Sequence, residues 1–194
     1  MAFFISKGLK GFTQIPQLLM HVDTYPWYYP VAALRNQTII RCFLFTGIRL
    51  NELLQLPSNA INFAESEILI SQGKGNKDRI VPIHPQLLPY LKAYAKSQKQ
   101  RKVHSEFFFT SIRSNKKLTE KNLYAIVKKL RGVCGFYFSP HMLRHTFGKL
   151  SIEANLNPFK LKEIMGHSNI STTQIYISVS TESIKKSFLK LPLV

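Results

Sequence analysis

Glu67-Ile68-Leu69-Ile70-Ser71-Gln72-Gly73-Lys74-Gly75-Asn76-Lys77-Asp78-Arg79-Ile80-Val81-Pro82-Ile83 is the stretch that decides the fold class. Two short runs rich in β-branched residues, 67–71 and 79–83, flank a glycine-rich turn studded with cations, which predicts an antiparallel hairpin. Outward from it the apolar spacing is helical. Upstream, Leu34, Thr38, Ile39, Cys42, Phe43 and Leu44 fall together on a wheel, predicting a helix from Val31 that Gly47 ends or interrupts. A second helical stretch, Leu50 to Leu56, stops before Pro57.

Downstream, a helix is expected from Pro85 with Leu87, Leu88, Leu91 and Tyr94 inward, trailing into the basic run Lys96 to Lys102. Phe107-Phe108-Phe109 reads as a short buried segment. Thr119 is a candidate N-cap for a helix that carries Leu123, Ile126, Val127 and Leu130 inward and ends near Gly132 or Gly135. Ser139-Pro140 and Asn157-Pro158 each place a capping residue before a proline at the first helical position, and Gly166 closes the second of these helices. Ser171 and Gln174 match a capping box, which puts Tyr176 early in a following helix. Thr181 to Leu191 reads as a short amphipathic basic helix.

The first thirty residues are the least readable, with Pro16, Pro26 and Pro30 among the aromatics Tyr25, Trp27, Tyr28 and Tyr29. The expected division is an N-terminal segment over 1–30 and one domain over 31–194. The class is mostly α (α+β): helical, with one small antiparallel sheet.

Charge narrows the partner. Lys and Arg number 27 against 10 Asp and Glu, a formal net charge of +17, and a surplus of that size points to a polyanion such as nucleic acid. Cys42 and Cys134 each sit in an apolar stretch without the neighbours of a zinc site, so two buried reduced thiols are expected. No charged n-region precedes an apolar run, and no run has the length of a membrane span. A cytoplasmic, nucleoid-associated protein without a membrane partner is the expectation.

The acids are few and scattered, which argues against a two-metal nuclease. Cations and imidazoles at helix ends are prominent instead. His141, Arg144 and His145 are three and four residues apart at a helix start, where they share a face and where free amides favour an anion. A guanidinium beside an imidazole offers a phosphate both paired hydrogen bonds and a proton carrier. Arg49 has Glu52 one turn on, while His167 follows Gly166 and precedes Tyr176. Each piece alone is an ordinary surface feature.

Together and in order, four segments resemble the tyrosine recombinase family, the Xer and phage-integrase group. They are Thr46-Gly47-Ile48-Arg49-Leu50-Asn51-Glu52-Leu53, Gly73 to Ile83, Ser139-Pro140-His141-Met142-Leu143-Arg144-His145-Thr146-Phe147, and Met165 to Tyr176. The resemblance runs from about Val31 to the C-terminus. It implies that Arg49 and Arg144 clamp the scissile phosphate of duplex DNA, that Lys74 is the general acid, and that His141 and His167 are the active-site histidines. Tyr176 would be the nucleophile and Glu52 a supporting acid, with His145 an adjacent residue of open role. Lys77 rivals Lys74, which is preferred because the family's lysine lies between the two glycines. Lys74, Asn76, Lys77 and Arg79 would contact DNA.

The resemblance further implies strand exchange through a 3′-phosphotyrosine, with no cofactor, ATP or metal. Partners would be double-stranded DNA and a homo- or hetero-oligomer, a tetramer, on paired sites. Family members usually carry an N-terminal core-binding domain that completes a clamp around the DNA, and this chain is expected to lack it. Two alternatives stay open: a non-catalytic DNA-binding remnant of the fold, and a strand-relaxing enzyme of the type IB topoisomerase kind.

Overall fold

Helix α2 (Pro30–Thr46) is buried on every side, with Ile39, Ile40 and Phe43 fully enclosed and Arg35, Asn36, Thr38, Arg41 and Thr46 buried among them. A helix covered all round belongs at the centre of a stack. In this computed structural model, which describes residues 8–9, 11–71 and 78–166, α1 (Gly11–Thr24), α4 (Leu88–Gln100) and α6 (Pro140–Glu153) pack around it. Most of the buried polar groups of α2 have partners, within the helix or on its neighbours. The Thr38 and Thr46 hydroxyls donate to the Leu34 and Cys42 carbonyls at 2.7 and 2.6 Å, and Arg41 donates to Asp23 at 2.7 Å.

The sheet is small and antiparallel, in the order β1 (Ile61–Asn62), β2 (Glu67–Ile70), β3 (Arg79–Pro82). Ile68 faces Val81 and Ile70 faces Arg79 across the hairpin. Alternation sets the faces: Ile68, Ile70, Val81 and Ile83 are buried, while Leu69, Ile80 and Pro82 are exposed. Arg79 therefore shares the inner face. The turn of the hairpin, with Lys74, Asn76 and Lys77, lies outside the described residues.

Caps end the helices where their chemistry requires. Thr119 Oγ1 accepts from the Asn122 amide at 3.2 Å and starts α5 (Glu120–Cys134), which Gly135, left-handed at φ 71°, closes in preference to Gly132. Ser139 caps α6, and Asn157 caps α7 (Pro158–Met165). Cys42 and Cys134 are both buried without a disulfide, and burial raises both thiols.

Three features differ from expectation. Within the N-terminal segment, α1 belongs to the same core: it packs on α2 and α5, Leu18 and Val22 are fully enclosed, and the Leu9 amide donates to Thr146 Oγ1 at 2.8 Å. Pro16 lies inside α1 with its ring exposed, so the packed stripe on the other face outweighs its poor helix propensity. Strand β1 has no alternating run to announce it, and α4 starts at Leu88, three residues after Pro85. Among the described residues no helix is long and apolar enough to cross a membrane.

Candidate active site

The turn between α2 and the short α3 (Leu50–Leu54) delivers the first arginine. Gly47 ends α2 at φ 60°, and its amide donates to the Phe43 carbonyl at 3.3 Å. A side chain there would be strained by the backbone and would strike the Phe147 ring, so glycine is needed twice over. Ile48, 1% exposed, anchors the turn in the core, and Arg49 follows as the residue before α3. Glu52, at the third helical position, takes the Arg49 amide on Oε2 at 2.8 Å.

Glu52 is the hub of an ion network. Its Oε1 accepts from Arg49 Nη1 at 2.8 Å and from Arg79 Nη1 at 2.9 Å, and its Oε2 also accepts from Arg79 Nη2 at 2.7 Å. Burial alone would raise this carboxyl, but the bonds from Arg79 and Arg49 outweigh it and hold the pKa down at about 2. Arg79 was expected to touch DNA, and in the structure it is engaged within the chain. Its side chain is only 8% exposed, turned onto the inner face of the sheet, with both Nη atoms on Glu52 and Nε donating to the Ile164 carbonyl at 2.8 Å.

Helix α6 supplies the second arginine. The Met142 amide donates to Ser139 Oγ at 3.2 Å, Pro140 holds the first turn, and His141, Arg144 and His145 come to neighbouring positions as their spacing requires. Arg144 is buried, donating through Nη1 to the Gly47 carbonyl and through Nη2 to the Met165 carbonyl at 2.8 Å. His141 and His145 meet edge to face with Nε2 atoms 2.9 Å apart, so one ring donates a proton that the other accepts. Helix α7 closes the arrangement at Gly166, left-handed at φ 65°, whose carbonyl accepts from Arg49 Nη2.

Arg49, Glu52, His141 and Arg144 line one open cleft of about 540 Å³ together with Glu120 and Tyr124 of α5. The last two were not singled out in the sequence. The signal available was only their outward position on a capped helix, because the cleft exists through the packing of α3 on α5. His167 and Tyr176, like Lys74, Asn76 and Lys77, lie outside the described residues. Among the described residues no three His, Cys, Asp or Glu side chains come together as a metal-ligand group.

Two arginines and a histidine from segments far apart in sequence thus converge on one open cleft, in a helical domain with a three-stranded sheet. The family model described as "Phage integrase family" matches residues 12–183. The chain belongs to the phage integrase family of tyrosine recombinases. The match takes in all but the first residue of α1, which joins the N-terminal helix to the family domain.

This integrase-family chain is 35% identical over 163 residues to tyrosine recombinase XerA of Pyrococcus horikoshii, covering 83% of this chain and 56% of that protein. It is 31% identical over 192 residues to tyrosine recombinase XerC of Shewanella sp. (strain ANA-3), covering 94% and 64%. The chain therefore spans a little over half the length of the curated relatives it matches. Among solved structures, XerA recombinase superposes with a TM-score of 0.79 at 23% identity, over 94% of this chain and 64% of that one. XerH site-specific recombinase, bound to its difH substrate in a pre-cleavage complex, gives 0.75 at 26% identity over 88% and 50%. The catalytic domain of bacteriophage HP1 integrase matches over 96% of both chains at 22% identity, with a TM-score of 0.65. The mostly helical fold with a small antiparallel sheet is that of recombinase catalytic domains.

Proposed function

We propose that this chain is a catalytically competent site-specific recombinase domain, which cleaves and rejoins duplex DNA through a covalent bond between Tyr176 and a 3′ phosphate. The observation that carries this reading is the convergence of Arg49, His141 and Arg144 on one cleft, from the α2–α3 turn and the start of α6. Phosphodiester transfer builds negative charge on the non-bridging oxygens, and preorganised cations lower that barrier. Both guanidiniums are held by backbone carbonyls and Glu52, so their direction is set before DNA arrives.

In this reading the Tyr176 oxygen attacks phosphorus, the bond to the 5′ oxygen breaks, and the departing oxygen takes a proton from Lys74. His141 and His167 accept the phenol proton or donate to the phosphoryl oxygens. Rejoining is the reverse: a 5′ hydroxyl attacks and releases Tyr176, with the bond energy conserved in the phosphotyrosine. Lys74, Asn76 and Lys77 contact DNA, Glu52 supports Arg49, and His145 adjoins His141. The net charge of +17 suits a duplex partner, and the relative XerH is described on a DNA substrate. Assembly as a tetramer on paired sites, in the cytoplasm, belongs to the same proposal.

The test is covalent capture. Duplexes enriched by binding selection are nicked beside the candidate cleavage position and incubated in EDTA, then run on a denaturing gel. Wild type gives a protein–DNA adduct and Tyr176→Phe gives none, though it binds the same duplex. Binding without any adduct from wild type would favour the non-catalytic remnant instead. Relaxation of supercoiled plasmid lacking a selected site would favour the topoisomerase-like alternative.

A further inference from the structure

Three consecutive carbonyls at the end of α7 are each taken by a different guanidinium. Ile164 accepts from Arg79 Nε at 2.8 Å, Met165 from Arg144 Nη2 at 2.8 Å, and Gly166 from Arg49 Nη2. The last carbonyls of a helix have no partner within it and carry the negative end of its dipole, so cations suit them. Two of these guanidiniums belong to the proposed phosphate clamp. The third, Arg79, does not line the cleft at all, and its three side-chain bonds all go to Glu52 and α7 from a side chain only 8% exposed.

We infer that Arg79 is a positioning residue of this active site, acting through Glu52 on Arg49 and through Ile164 on the end of α7. The inference rests on the functional reading above and deepens it. Glu52 carries one negative charge and faces two guanidiniums, which leaves the trio with a net positive charge for an anion in the cleft. Without Arg79 the remaining Arg49–Glu52 pair is neutral, and Glu52 holds Arg49 more tightly at the expense of a phosphate. The bidentate fork also fixes the plane of the carboxylate, and with it the direction in which Arg49 points. Pinning Ile164 fixes the last turn of α7, from which the chain continues to His167 and Tyr176.

The test separates binding from turnover. Single-turnover cleavage at saturating nicked duplex, equilibrium duplex affinity and thermal midpoint are measured for wild type, Arg79→Met and Arg79→Lys. Arg79→Met is expected to cleave about 10- to 100-fold more slowly, the usual cost of losing a group that orients a functional side chain, with duplex affinity near wild type. Arg79→Lys restores the charge without the fork and recovers only part of the rate. In a Glu52→Gln background, Arg79→Met adds less than it costs alone, because the two act together.

A folded Arg79→Met that cleaves at the wild-type rate overturns the inference. So does a defect that lies entirely in duplex affinity, since Arg79 would then be touching DNA itself. If Arg79→Met does not fold, Arg79→Lys decides: slowed cleavage by a folded protein supports the inference and a wild-type rate overturns it. A wild type that forms no adduct removes the functional reading and the inference with it. A wild type that cleaves beside an indifferent Arg79→Met removes the inference alone.

Discussion

Replacing Gly47 with alanine tests how the α2–α3 turn sets up Arg49. The new Cβ meets two separate penalties. The backbone at φ 60° is left-handed, which costs an L-residue about 1–2 kcal/mol. The Cβ also collides with Cδ1 of Phe147 and comes 3.0 Å from its Cε1, so the ring must move, at about 1–3 kcal/mol. The sum is about 2–5 kcal/mol, or roughly 4–20 °C in midpoint for a domain of this size. Gly135 is a matched control, since it is left-handed at φ 71° and an added Cβ there meets nothing within 4 Å. Gly135→Ala should therefore show the backbone penalty alone. Urea unfolding followed by far-UV circular dichroism gives both values, and Phe147→Ala completes the cycle. In that background Gly47→Ala should cost no more than Gly135→Ala. Equal costs for the two glycine substitutions in the native background, or no relief from Phe147→Ala, would refute the steric part of the reasoning.

Glu52 makes stability depend on acid. Its folded pKa of about 2 lies below the ordinary 4.5, so the stabilisation is fully present above pH 4.5 and is lost as pH falls toward 2. The gap between wild type and Glu52→Gln should be about 2–3 kcal/mol near neutrality, after allowance for solvent at the cleft, and should close over that window in urea titrations. Duplex binding should be strongly salt-dependent: with about 6–10 phosphates contacted, affinity falls roughly 10³–10⁵-fold between about 50 and 200 mM salt, and a flat titration would remove DNA as the main partner. Lys74→Ala should lose about 10²–10⁴-fold in cleavage of a normal phosphodiester, yet cleave near normally when sulfur replaces the bridging 5′ oxygen, because a thiolate leaves without a proton. Equal defects on both substrates would make Lys74 a binding residue.

What the sequence by itself determined is what neighbours along the chain decide. Gly47, Gly135 and Gly166 end helices in left-handed turns, and Ser139 and Asn157 begin them with a cap before proline. These signals act within a few residues, so they are readable without knowledge of the fold. The spacing of His141, Arg144 and His145 likewise fixes their shared side of α6. Helix α1 was not legible, because its stability comes from burying Leu18 and Val22 against helices distant in sequence, which outweighs Pro16. Arg79 is the instructive case. Its parity with Val81 and Ile83 on the inner face was in the sequence, but a cation beside a basic turn reads first as a surface contact. Only tertiary structure brings it to Glu52, 27 residues away, and to Ile164, 85 residues away. A guanidinium on a long flexible stem can reach many acceptors, and which of them it meets depends on packing between elements. The carbonyls at the end of α7 have no partner of their own, and the fold supplies three arginines from three separate segments to meet them.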